Sequence, residues 1–168
     1  MIGSITKTLQ KVFGNKSDRD IKEVMPYVTK TNEFFAQYQS LSNDQLRAKT
    51  TEFKNRISEY IKEEETRIQE LKDKVKHKET EARDKEELFK EIDKLDKIIL
   101  DKIEEVLLKV LPEAFAVIKE TSRRFKENKQ LEVTANDFDR DLAAKKGNVT
   151  IQGEKAFYAN TLLAAGGE

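Results

Sequence analysis

Apolar residues recur at helical spacing through most of the chain, with polar residues filling the positions between. Leu46, Phe53, Ile57, Tyr60, Ile61, Ile68, Leu71 and Val75 fall three, four or seven apart, which is one face of a helix. Glu64 interrupts that stripe. Leu88, Ile92, Leu95, Ile99, Ile103, Val106 and Val110 repeat the rhythm downstream. Between the two stripes, Lys76-His77-Lys78-Glu79-Thr80 holds no apolar residue and reads as a turn. Two stripes of similar length joined by a short polar link predict an antiparallel hairpin. Its start is written in Leu41-Ser42-Asn43-Asp44-Gln45-Leu46. Ser42 as N-cap and Gln45 three residues on form a capping box, and Leu41 with Leu46 can form the hydrophobic staple.

The flanking segments follow the same logic. Ile2, Ile5, Leu9, Val12 and Phe13 share one helical face, while Ser4, Lys7, Thr8, Gln10 and Lys11 lie on the other side. No acid precedes Asp18, so this segment is basic. A short cationic amphipathic helix can lie in a membrane interface, dock into a partner's groove, or cap its own domain's core. Gly14-Asn15 ends it as a C-cap does, and Ser17 with Asp18 and Asp20 starts the next helix. Ile21, Val24, Met25, Val28, Phe34, Phe35 and Tyr38 are the expected buried side of that helix, with a kink at Pro26. Leu111-Pro112-Glu113 is expected to break or kink the returning arm and to open a new helix. Ala114, Phe115, Val117, Ile118 and Phe125 make this new helix widely apolar. From Gln130 the pattern alternates. Leu131–Thr134 reads as a strand and Asn136–Lys146 as a short helix with Gly147 at its C-cap. Val149–Gln152 and Lys155–Tyr158 read as a hairpin with Gly153 first in a two-residue turn. The fold class is therefore mainly α, a long antiparallel charged helical hairpin with N-terminal helices and a small antiparallel β element near the C-terminus.

Composition sharpens this picture. At 168 residues the chain is one domain or a piece of a larger protein. Charged residues make up 38% and apolar residues 37%, which with regular periodicity means long exposed helices over a thin core. Glu63 and Arg67, Glu70 and Lys74, Glu81 and Lys85, Glu86 and Lys90, and Asp93 and Lys97 stand acid-first four apart. Each such pair adds about 0.2–0.5 kcal/mol to an exposed helix. The charged run reads as a solvated face, with a docking surface for another helix as the alternative. Formal net charge is zero, so no global field draws in nucleic acid or an acidic membrane. There is no Cys, which excludes disulfides and thiolate metal sites. No apolar run approaches the roughly 18 residues needed to cross a bilayer, and the N-terminus lacks a signal peptide's apolar core.

Catalytic chemistry is not legible. The one histidine, His77, sits in the charged turn and cannot alone hold a zinc or di-iron centre. There is no G-x-S-x-G elbow and no G-x-x-x-x-G-K-[ST] phosphate cradle. Arg123-Arg124 is the tightest basic pair, but no aromatic platform accompanies it, so nucleic acid is not an expected partner.

Two separated stretches carry a resemblance. One is KVFGNKSDRD from Lys11 to Asp20, followed by LSNDQLRAKTTEF from Leu41 to Phe53. The other is LPEAFAVIKETSRR from Leu111 to Arg124. Both resemble the beginning of the SecA family, the motor ATPases that drive preproteins through the SecY channel of the bacterial plasma membrane. In that family the two stretches lie close together. Here Tyr60 to Val110 separates them as a charged insertion, and residues 126–160 look like a second insertion, as in the Bacteroidetes version of the motor. The chain ends before the family's adenine-reading motif, and it lacks Walker A and B, so no nucleotide-binding or catalytic residue can be placed on it. ATP and magnesium belong to the parent protein, and this chain is expected to be inactive alone.

The resemblance implies a division into an N-terminal basic amphipathic helix (1–16), N-terminal helices (17–59), a charged hairpin insertion (60–110), a helix of the first nucleotide-binding domain (111–127) and a small α/β insertion (128–168). It implies that Ile2, Ile5, Lys7, Leu9, Lys11, Val12 and Phe13 contact anionic lipid, the SecY channel complex or a second motor subunit. Through the parent protein the partners include preproteins, and the location is cytoplasmic, peripheral to the inner face of the plasma membrane. Detached from its domain, the chain is expected to self-associate or to bury Phe115 and Ile118 against its own hairpin. The alternative to the export motor is a stand-alone adaptor or structural module whose function is the hairpin itself.

Overall fold

The computed structural model describes residues 16–76 and 82–160. The basic segment at residues 2–13 and the turn at residues 77–80 lie outside them. Three helices, α1 (Lys16–Tyr38), α2 (Asn43–Lys76) and α3 (Ala82–Glu127), form the body. They are followed by β1 (Gln130–Thr134), α4 (Asp137–Ala143), β2 (Val149–Gln152) and β3 (Lys155–Ala159). The fold is mainly α with one small antiparallel sheet.

Local chemistry sets the start of α2. The Ser42 hydroxyl accepts from the Gln45 N–H at 3.1 Å, and the Gln45 side chain accepts from the Ser42 N–H at 2.8 Å. This is the expected reciprocal cap. From there α2 runs antiparallel to α3, as the cross-helix pairs show. Arg67 meets Glu91, Glu64 meets Lys102, Tyr60 meets Lys109 and Arg56 meets Glu113, one number rising as the other falls. The apolar stripes close between them as two cores. Ile68, Leu71 and Ile92 pack with Leu88, Leu95 and Ile99, and Phe53, Val106 and Val110 pack with Ile57, Tyr60 and Ala114. A third core of Tyr38, Leu46 and Ala116 ties the end of α1 to both arms, with Phe34, Phe35 and Leu41 around it.

The interruption of the stripe at Glu64 is resolved across the seam. Lys102 donates to Glu64 Oε1, while Glu64 Oε2 is buried without a hydrogen-bond partner. The lysine holds the Glu64 carboxyl below its ordinary value of 4.5, chiefly by that bond. A desolvated pair with one orphaned oxygen favours register more than stability. The Lys102→Met chain is therefore expected to melt lower than the native one. The Glu64→Met/Lys102→Met double variant should recover native stability or exceed it, as thermal denaturation would show.

Several elements depart from the sequence pattern. α3 is one helix of 46 residues that continues through Pro112 instead of breaking there. Pro112 deprives only the Leu108 carbonyl of its bond, and Leu108 is solvent-accessible, so water can serve that oxygen. α1 likewise runs through Pro26, leaving the carbonyl of exposed Lys22 to solvent. The short helix α4 ends on Ala144 as C-cap, and Gly147 does not take a left-handed conformation. Of the five acid-first pairs, Glu86–Lys90 forms at 2.7 Å, whereas Arg67 turns from Glu63 to Glu70 and across to Glu91. A cross-helix acid was available to that arginine, and the pattern of one helix cannot reveal it.

In the small sheet the strand order is β1-β3-β2, all antiparallel. Ala156 lies opposite both Val133 and Ile151. Gly153 has φ +60, and no described non-glycine residue has positive φ, so Glu154 does not. That sign pattern belongs to a type II′ hairpin turn, which demands glycine at its first central position. The start of α2 clamps this module. Asp44 accepts from the Thr134 N–H at 2.9 Å and its hydroxyl at 2.7 Å, and Asn43 donates to the Glu132 carbonyl at 2.9 Å.

Candidate functional site

Several exposed large apolar side chains line a groove between α1 and α3. These two helices run parallel, since Asn32 meets Lys119 and the Tyr38 carbonyl meets Arg124. The groove is walled by Val24 and Val28 on one side and by Leu108, Leu111, Phe115 and Ile118 on the other, and encloses about 650 Å³. The sequence pattern assigns Ile21, Val24, Met25 and Val28 to a buried face, and the structure corrects this. Val24 is 55% exposed, and only the last turns of α1, at Phe34, Phe35 and Tyr38, find the core. Phe115 and Ile118 are 52% and 61% exposed, so they are not buried against the chain's own hairpin. The hairpin occupies the opposite side of α3, where Val106 and Val110 are buried. A contiguous apolar surface of this kind marks a binding face.

Beneath the groove, α3 is held by buried charge. Glu120 is fully buried and accepts from Arg123 at 2.7 and 2.8 Å and from Arg124 at 2.7 Å. The Arg123 bond is the main cause that holds the Glu120 carboxyl below its ordinary value; burial opposes it and Arg124 adds to it. Arg124 also donates to Asn43 at 2.7 Å and to the Leu41 and Tyr38 carbonyls at 2.6 and 3.1 Å. One guanidinium thus joins the end of α1, the cap of α2 and the last turns of α3. Two turns before Glu120, Glu113 accepts from Arg56 at 2.5 Å and from the Tyr38 hydroxyl at 3.2 Å. Burial, then the Glu113 carboxylate, raises the Tyr38 pKa. The sequence shows Arg123-Arg124 as the tightest basic pair, and the pair by itself does not reveal that Arg124 is buried. The missed signal is the spacing of Glu113 and Glu120, seven apart on the inward side of an apolar helix.

Asp139 is the matching strut in the α/β module. It is fully buried and accepts from the Tyr158 hydroxyl at 2.5 Å, Arg47 at 2.8 Å and the Asn136 N–H at 2.9 Å. Burial pushes its carboxyl up, but these three donors outweigh it and the net shift is downward. Tyr158 is pushed up to about 12 by burial and by the adjacent carboxylate. Glu113, Glu120 and Asp139 are each paired with arginine, so they act as struts between elements. The chemistry open to the groove itself is burial of another apolar face.

The sequence-predicted contact residues Ile2, Ile5, Lys7, Leu9, Lys11, Val12 and Phe13 lie outside the described residues. What the structure supplies is their neighbour, since α1 begins at Lys16 and forms one wall of the groove.

Comparison with known proteins places the chain. Residues 9–136 match the family model of the SecA DEAD-like domain. The protein translocase subunit SecA of Parabacteroides distasonis is 50% identical over 160 residues, covering 95% of this chain and 14% of its own length. The corresponding subunit of Phocaeicola vulgatus is 48% identical over 159 residues, or 94% of this chain, and that of Flavobacterium psychrophilum is 42% identical over 167 residues, or 98%. Alignments of that extent take in the charged hairpin and the α/β module, so both are shared with these relatives. The chain spans about one seventh of the length of the curated relatives it matches (14–15%). No solved structure matches it.

Proposed function

The chain belongs to the SecA family of protein translocase subunits, matching its N-terminal part, and from that premise we propose that it serves an export motor as a contact module. The parent protein would bind ATP with magnesium and spend its hydrolysis on moving unfolded preproteins through the SecY channel. This piece holds no phosphate loop and contributes contacts instead of chemistry. The observation that carries the reading is 50% identity over 95% of the chain to a translocase subunit, with both apparent insertions included.

The basic amphipathic residues Ile2, Ile5, Lys7, Leu9, Lys11, Val12 and Phe13 would face anionic lipid, the channel or a second copy of the motor. Their apolar face enters the interface and their lysines meet acidic headgroups. No helix among the described residues is long and apolar enough to cross a membrane, so such a contact would rest on this amphipathic segment. The implied location is the cytoplasmic side of the plasma membrane, attached peripherally. The exposed Phe115 and Ile118 would be covered by the continuation of the nucleotide-binding domain in the parent protein.

Vesicle flotation tests the membrane contact. The chain should float with anionic vesicles and not with neutral ones, and binding should weaken as salt rises toward a Debye length of about 3 Å at 1 M. Lys7→Glu/Lys11→Glu should abolish it, because each juxtaposed lysine contributes about 1 kcal/mol near an acidic surface. Unchanged binding by the double variant would remove residues 2–13 from the contact.

A further inference from the structure

We propose that the lower part of the groove between α1 and α3 is the resting seat of this chain's own residues 2–13. This deepens the membrane reading given above, because the same apolar face cannot lie in the groove and in lipid at once. Three observations support the seat. The face to be covered, Ile21, Val24, Met25 and Val28 with Leu108, is exposed and apolar. The chain outside the described residues ends directly at Lys16, where that wall begins. Its apolar positions Ile2, Ile5, Leu9, Val12 and Phe13 form a single stripe that needs a partner.

Connectivity gives the register. If the chain reverses at Gly14-Asn15 and returns along α1 as an antiparallel hairpin, Ile5 comes level with Val24 and Ile2 with Tyr27 and Val28. As a helix the segment from Ile2 to Phe13 spans about 18 Å, which takes Ile2 to the level of Phe115, by the offset of the Asn32–Lys119 and Tyr38–Arg124 pairs, and stops short of Ile118. Ile118 is thereby left for the continuation of the domain, and Phe115 lies at the boundary between the two covers. In this pose Lys7 and Lys11 lie on the far side from the groove and stay in solvent. The docked segment therefore remains visible to an acidic surface, which can draw it out. Membrane attachment and an open groove become one event.

The chain has no cysteine, so engineered pairs report cleanly. In the full 168-residue chain, Ile5→Cys/Leu108→Cys is compared with Ile5→Cys/Lys22→Cys under a mild added oxidant. Lys22 is exposed on a neighbouring turn of α1 but outside the groove. Both pairs share the same tether, so a seated segment should close the first pair about tenfold faster than the second, as a monomer and independently of concentration. Anionic vesicles that bind the native chain should slow the first pair to the rate of the second. Equal rates without vesicles would overturn the seat. So would a disulfide-linked dimer whose formation rises with concentration, since a second copy would then fill the groove. Fast closure that bound vesicles leave unchanged would overturn the exclusion between groove and lipid. Fast closure in a native chain that binds no vesicles would uphold the seat and overturn the membrane reading alone.

Discussion

An Arg124→Ala chain is expected to unfold with about 3 kcal/mol less stability than the native chain, the size seen when one partner of a buried ion pair is removed. Glu120 would stay buried with only Arg123 beside it. The Leu41 and Tyr38 carbonyls and the Asn43 side chain would lose their donor in the same step. The damage falls at the junction of α1, α2 and α3, so the loss should appear in the main transition. Urea denaturation followed by far-ultraviolet circular dichroism measures it. Arg123→Ala is the comparison, since Arg123 is more solvent-accessible and, among the described residues, pairs along its own helix, with Glu120 and Glu127. Its effect should be clearly smaller. Equal effects of the two variants would mean that the cross-helix bonds of Arg124 contribute nothing.

Asp139→Ala should cost about 2–3 kcal/mol, but only within the α/β module, because it strands the Tyr158 hydroxyl, Arg47 and the Asn136 N–H together. Hydrogen exchange should speed up across Val149–Gln152 and Lys155–Ala159 while the packed middle of α2 and α3 keeps its protection. Acid should act on both struts in the same sense. The folded-state carboxyls of Asp139 and Glu120 lie below their ordinary values of 3.8 and 4.5. A depressed carboxyl contributes stability above its unfolded value and loses it as pH falls toward the folded one. Stability should therefore be level near neutral pH and decline from about pH 4.5 downward. The Asp139→Ala chain should show a shallower acid decline than the native one in the module's exchange rates.

Local chemistry was legible from the sequence wherever neighbours in the chain decide the outcome. The Ser42–Gln45 cap, the glycine-led hairpin at Gly153 and the alternation of Val133 and Val149 need only a few adjacent residues. The pairing of the long arms was legible too, since two stripes of equal rhythm leave few other ways to close. The face of α1 was not. Ile21, Val24, Met25 and Val28 form as good a stripe as Ile61 and Ile68 do, and periodicity does not say whether a partner is present in the same chain. Pro112 misled for a related reason. A proline inside a helix loses one bond, but a long helix packed on both sides tolerates the loss where water reaches the freed carbonyl. The buried Arg124 was hidden because charge at a single position reads as surface until the carbonyls and the amide that it meets on other elements are found. The contact residues from Ile2 to Phe13 rest on sequence alone, which is why their predicted charge reversal carries so much weight.

The most direct measurement replaces the matching N-terminal portion of the Parabacteroides distasonis translocase subunit with this chain and follows ATP-driven uptake of a preprotein into inverted membrane vesicles. The account predicts that the chimera translocates, and that Lys7→Glu/Lys11→Glu within it reduces uptake by weakening the membrane contact. A chimera that folds and binds ATP yet moves no preprotein would contradict the assignment of this chain to the working motor, and the charged hairpin would then have to be treated as a module with a function of its own.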